Sequence, residues 1–125
     1  MSQNFKDLTV YQKAFALAME IFQISRDFPK EEIYALSGQI RRSSRSICAN
    51  VAEAYRKRRY NAHFISKVSD ADMENSETQV WIDFALACQY ISKNTHEELT
   101  SRSEEIGRLL NHMMENPDKY QRKSK

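Results

Sequence analysis

The chain has little with which to interrupt a helix: among 125 residues there are two glycines, Gly38 and Gly107, and two prolines, Pro29 and Pro117. Many-stranded folds need turns at short intervals, and turns draw heavily on these residues. Their scarcity, beside abundant Ala, Leu, Ile, Glu, Lys, Arg and Gln, favours one domain built of a few long helices. It also excludes the glycine-rich loops that cradle phosphates in the Walker and dinucleotide-binding motifs. No apolar run approaches the roughly 20 residues a membrane-spanning helix needs. The segment MSQNFKDLTVYQK lacks the apolar core of a signal peptide. Cys48 and Cys88 fall inside helical patterns without metal-type spacing. A reduced, cytoplasmic protein with no membrane partner is therefore expected.

Histidine is equally sparse, and its placement argues against a metal site. Helical bundles that hold di-iron centres use Glu-x-x-His pairs. Here the residues three before His63, His96 and His112 are Tyr60, Lys93 and Leu109. Ser43, Ser44 and Ser46 stand near arginines, yet no base is placed to activate them, and small residues on a helix more often serve close packing. No catalytic residue, metal or cofactor is expected, and the protein is read as a non-enzyme.

Charge, by contrast, is unevenly spread. Gln39 to Tyr60 carries seven of the nineteen basic residues (Arg41, Arg42, Arg45, Arg56, Lys57, Arg58, Arg59) against one acid, Glu53, for a formal charge of +6. The whole chain is only +2, with −6 in residues 61–115 and +3 in the last ten. Such separation suits a protein that binds something anionic, or that binds copies of itself.

Apolar periodicity places four helices, at about residues 7–26, 33–58, 61–92 and 95–115, with the bundle filling residues 1–116. In the first, Val10, Ala14, Leu17, Ile21, Ile24 and Phe28 form a seam. A second stripe, Leu8, Tyr11, Phe15, Ala18 and Phe22, lies about 100° around the helix, more apolar surface than a lone bundle buries. The second helix buries Leu36, Ile40, Ile47, Val51 and Ala54, and sets Arg41, Arg45, Arg56 and Arg59 within about 60° of one another, away from that seam. The third, with Asn61 as N-cap, uses Phe64, Val68 and Ala71, then Met73, Val80, Phe84, Ala87 and Ile91, with Trp81, Ala85 and Cys88 as a second stripe. The fourth opens on a Thr95–Glu98 capping box and buries Leu99, Ile106, Leu110 and Met113. Residues 117–125 read as a basic, disordered tail. Short connections make successive helices antiparallel, so the fold class is all-α, an antiparallel up-down-up-down four-helix bundle.

Two readings of the basic face stand side by side. The acids of the third helix (Asp70, Asp72, Glu74, Glu77, Asp83) can absorb some arginines in ion pairs, and Glu77, intruding on an apolar seam, reads first as such a structural partner. Arg56, Lys57, Arg58 and Arg59, at a helix end, are better placed for an external anion, although cations there also favour the helix dipole.

Several segments carry a resemblance. They are Phe5-Lys6-Asp7-Leu8 with Tyr11-Gln12-Lys13-Ala14, Phe28-Pro29, Gln39-Ile40-Arg41-Arg42, Ser46-Ile47 with Asn50-Val51-Ala52-Glu53, and Glu77-Thr78-Gln79-Val80 leading to Tyr90-Ile91. In this order they resemble the bacterial four-helix-bundle proteins encoded in intervening sequences of the large-subunit ribosomal RNA gene. Related to these are the accessory variability determinant proteins of diversity-generating retroelements. The resemblance implies a ring-like homopentamer with a basic surface and a role with RNA or DNA. It marks Gln39, Arg41, Arg42, Asn50, Glu53, Glu77 and Gln79 as signature residues. Cys48 and Ala54 depart from the Pro and Gly of the pattern, which implies a straighter second helix.

The leading expectation is an oligomer that binds structured RNA or DNA through its basic residues, with weak sequence preference. The rival is a protein-binding adaptor, for example an accessory to a reverse transcriptase, with no strong nucleic-acid affinity of its own.

Overall fold

In a computed structural model that describes residues 4–121, the chain forms α1 (Thr9–Ser25), α2 (Leu36–Arg56), α3 (Asn61–Ala87) and α4 (Lys93–Glu115). Short 3-10 turns, Phe5–Asp7, Lys30–Glu32 and Pro117–Tyr120, lead into α1, lead towards α2 and follow α4. The helix α2 packs most extensively on α3, α3 on α4, and α1 on both α2 and α4. The four helices thus close in chain order into an up-down-up-down bundle.

The core follows the expected seams on three helices. Val10, Ala14, Leu17 and Ile21 of α1, Ile40, Ile47, Val51 and Ala54 of α2, and Leu99, Ile106, Leu110 and Met113 of α4 are all buried. So are Phe64, Val68 and Ala71 at the start of α3. The second half of α3 departs from the expectation. Its buried residues are Asn75, Thr78, Ile82 and Ala85, while Met73 (69 % exposed), Val80 and Phe84 point outward. Hydrogen bonds explain the reversal. Asn75 Nδ2 donates to the Ser103 carbonyl at 2.9 Å, and Ser103 Oγ donates back to Asn75 Oδ1 at 2.8 Å. Thr78 Oγ1 meets Ser43 Oγ at 2.9 Å. Satisfied in this way, amide and hydroxyl groups take core positions that an apolar pattern assigns to other residues.

Helix ends differ too. The helix α3 stops at Ala87 and not near Ser92, because Gln89 adopts a left-handed φ of 63°. The Gln89 and Tyr90 amides then bond back to the Leu86 and Ala85 carbonyls, both at 2.9 Å, a Schellman stop usually built on glycine. The N-cap of α4 is Ser92, whose Oγ accepts from the Thr95 amide at 3.1 Å, so Thr95 lies inside the helix and opens no capping box. Nor is Asn61 the cap of α3. Tyr60 holds that place, and Asn61 Nδ2 donates to Asp118 Oδ1 at 3.1 Å. Part of the expected disordered tail is ordered: Pro117–Tyr120 turns back, and the Tyr120 ring stacks on Phe64 with centroids 5.5 Å apart. The rest of that tail, residues 122–125, lies outside the described residues. Among the described residues no helix is long and apolar enough to cross a membrane.

Candidate anion-binding face

The seven basic residues of the α2 segment fall into three environments. Arg42, though exposed, is paired with acids of its own chain. It donates to Glu74 at 3.3 Å and, through a short bond, to Glu77 on α3. Glu77 also accepts from Trp81 Nε1 at 3.1 Å. The Trp81 bond, assisted by Arg42, holds the Glu77 carboxyl below its ordinary value, and the Glu77 bond raises Arg42. Arg42 is thus a clasp between α2 and α3 and not a free cation.

Arg56, Lys57, Arg58 and Arg59 do not continue a helical stripe. The helix α2 ends at Arg56, Lys57 caps it, and the next two arginines lie in the turn towards α3. Arg58 folds back: its Nη1 donates to the Tyr55 carbonyl at 2.8 Å and its guanidinium sits 3.9 Å from the centre of the Tyr55 ring. A cation on the last carbonyls of a helix stabilises that end. Arg56, Lys57 and Arg59 are exposed, and none makes an ion pair among the described residues.

Arg41 and Arg45 form a third group with a residue the sequence did not single out, Arg26 at the end of α1. The three guanidiniums lie 5.0, 5.6 and 5.9 Å (Arg41, Arg45 and Arg26) from the centre of the same Phe22 ring. Arg41 Nε donates to the buried Ser25 hydroxyl at 2.7 Å, and Arg26 Nη1 reaches Gln23 Oε1 at 3.4 Å. Among the described residues none of the three has a carboxylate within ion-pair reach. An aromatic face attracts each cation, yet it leaves their mutual repulsion uncancelled. Only the spacing Phe22–Arg26, one helical turn, hints at this cluster in the sequence. The convergence across α1 and α2 does not show there.

Beside the cluster runs an open groove of about 430 Å³ between α1 and α2, lined by Phe5, Tyr11, Phe15, Met19, Cys48 and Arg45 among others. Burial pushes the Cys48 thiol up to about 11, so it is neutral at physiological pH and behaves as apolar lining. Phe15 is 52 % exposed, as the surplus apolar stripe of α1 led one to expect; Ala18 of that stripe is buried.

The remaining signature residues do not assemble into one site. Gln79 Nε2 donates to Ser103 Oγ at 2.9 Å, Glu53 pairs with Lys67 at 2.8 Å, and Asn50 Nδ2 bonds the Ser46 carbonyl of its own helix at 2.9 Å. Gln39 is exposed beside a second groove lined by Leu36, Trp81 and Phe84. With Glu77, most of these side chains fasten helices to one another. No group of three or more His, Cys, Asp or Glu side chains is arranged to hold a metal ion among the described residues.

A protein of unknown function from the S23 ribosomal protein family of Bacteroides thetaiotaomicron shares this fold. It is 32 % identical, with a TM-score of 0.78, and the match covers 88 % of this chain and 98 % of that one. No functionally curated protein shows significant similarity. Residues 6–112 match the profile described as 23S rRNA-intervening sequence protein, and the chain belongs to that family.

Proposed function

We propose that this protein is a non-enzymatic, cytoplasmic oligomer that binds nucleic acid, structured RNA or DNA, through basic residues of α2 and the turn after it. The supporting observation is the turn Arg56, Lys57 and Arg59: three exposed cations with no carboxylate partner among the described residues. Tyr60, 58 % exposed, adjoins them, its ring edge-on to His63 with centroids 5.8 Å apart. Contacts to phosphate release counterions, so affinity falls steeply with salt. Copies arranged around a ring, a homopentamer on the family pattern, would repeat this modest patch and gain avidity. The exposed row Met73, Val80 and Phe84 on α3 is the natural surface for contact between copies.

The test is a salt series on duplex DNA and a folded RNA. Replacing Arg56, Lys57 and Arg59 by Ala should weaken binding uniformly across sequences. If each cation meets one phosphate, the slope of log K against log salt becomes shallower by roughly 2.7. Unchanged affinity and slope would remove the turn from the interface.

A second reading, a protein-binding adaptor such as an accessory to a reverse transcriptase, draws on the same exposed α3 row. It requires that purified protein bind nucleic acid poorly and that a partner captured from extract survive nuclease treatment.

A further inference from the structure

Three guanidiniums gathered on one ring with no counter-charge among the described residues form an arrangement completed by an anion. Coulomb repulsion between two unit charges about 8 Å apart is on the order of 0.5 kcal/mol even in water, and larger beside a protein surface. Ser25 fixes Arg41 through Nε, leaving its two terminal nitrogens with no protein partner among the described residues. A tetrahedral phosphate accepts such donors in pairs. Arg45 belongs both to this cluster and to the wall of the neighbouring groove. Along that groove the rings of Phe5 and Tyr11 lie 5.2 Å apart, and those of Tyr11 and Phe15 6.1 Å apart. Phosphate donors beside an aromatic trough are the two parts of a site for a stacked nucleotide.

We infer that this face takes one unpaired nucleotide of a single strand, its phosphate held by Arg26, Arg41 and Arg45 and its base lying in the groove against Tyr11 and Phe15. The inference rests on the nucleic-acid reading and narrows it. Stacking within a duplex hides both faces of every base, so a duplex offers nothing to the groove and has no base there to seat its phosphate on the three arginines. The turn at Arg56 to Arg59 makes no such distinction.

The probe is a fluorescein-labelled single-stranded RNA of mixed sequence, read by anisotropy against the same strand annealed to its complement and an abasic strand of equal length. Arg26 and Arg45 are exposed and Phe15 is half out of the protein, so Arg26→Gln with Arg45→Gln, and separately Phe15→Ala, should keep the wild-type circular dichroism and melting curve. The arginine pair should lower single-strand affinity about tenfold, as expected for two lost charge-assisted contacts. Duplex affinity should move less than about twofold, because a duplex has no base in the groove to hold its phosphate on the cluster. Phe15→Ala should cost the normal strand about fivefold or more and leave the abasic strand unaffected. Equal losses on strand and duplex would reduce the cluster to a general basic patch and overturn the inference. So would Phe15→Ala leaving strand affinity intact while sedimentation shifts to a smaller species, because the groove is then a contact between copies. If duplex and strand depend only on Arg56, Lys57 and Arg59, this inference fails and the nucleic-acid reading stands. If wild-type protein binds neither, both fail.

Discussion

The first half of α3 seats Phe64, Val68 and Ala71 in the core, whereas the second half seats Asn75 and Thr78 before returning to Ile82 and Ala85. The first half is fixed by apolar burial, which is non-directional and tolerates repacking. The second is fixed by hydrogen bonds that reach α4 through Ser103 and α2 through Ser43. Directional bonds in a buried layer set which residues face which, and so hold the register of three helices at one level. They also free the opposite face of α3, where Met73, Val80 and Phe84 are exposed. One half of the helix builds the core, and the other lends its apolar side chains to the surface.

The sharpest way to break the contrast is to remove an anchor from the apolar half. Phe64 is fully buried, with the Tyr120 ring stacked on it. Phe64→Ala should cost about 3–5 kcal/mol, part transfer and part cavity, read as a lower midpoint in urea with the slope unchanged. It should also release the Pro117–Tyr120 turn, detectable as faster amide exchange there.

In the polar half, Asn75→Ala removes a donor and an acceptor together and leaves the Ser103 carbonyl without that partner. A loss of about 1–3 kcal/mol is expected from the unsatisfied groups. Gly107 sharpens the point, since a Cβ there would come within 3.3 Å of Asn75 Nδ2. Asn75→Ala combined with Gly107→Ala should therefore be less destabilising than the sum of the two singles, by urea denaturation.

How far the sequence reveals all this follows the same division. The bundle, its direction and the seams of α1, α2 and α4 are legible because buried apolar residues recur at helical spacing. The second half of α3 is not, because Asn75 and Thr78 look like surface residues until their partners from other helices are in place. Nor is the end of α3, where Gln89 does the work usually given to glycine and Tyr90 and Ile91 carry the apolar pattern onward. The Glu77 pairing with an α2 arginine is legible, since an acid on an apolar seam facing a basic helix has few other resolutions. The Arg26–Arg41–Arg45 cluster is not, because periodicity within one helix carries no information on which turn of α1 meets which turn of α2.

Glu77 lies within the polar half of α3, beside Thr78, and its titration gives that half a readout of its own. Its folded-state value is depressed below the ordinary 4.5. Its contribution to stability is therefore present above about pH 4.5 and is lost as pH falls through the lower folded value. The side chain is about a third exposed, so the contribution should stay below about 1 kcal/mol. Urea midpoints measured from pH 7 down to pH 3 should fall for the wild type, and Glu77→Gln should flatten part of that fall. An equal slope in the variant would place the acid sensitivity in another carboxylate.

The smallest effect on stability belongs to the exposed row, and it carries the most information about assembly. Met73→Ser with Val80→Ser removes apolar atoms that the isolated bundle leaves about half or more exposed. Its unfolding free energy at low protein concentration should stay within about 0.5 kcal/mol of wild type for each substitution. If the row joins copies, burial there is realised only in the assembly, so stability of the wild type rises with protein concentration and that of the variant does not. Sedimentation would then show the variant as a smaller species with an unchanged circular dichroism spectrum. A variant that sediments like the wild type would leave the row without a partner copy. Its apolar surface would then favour the adaptor reading, in which the face that buried hydrogen bonds release from the core serves a different protein.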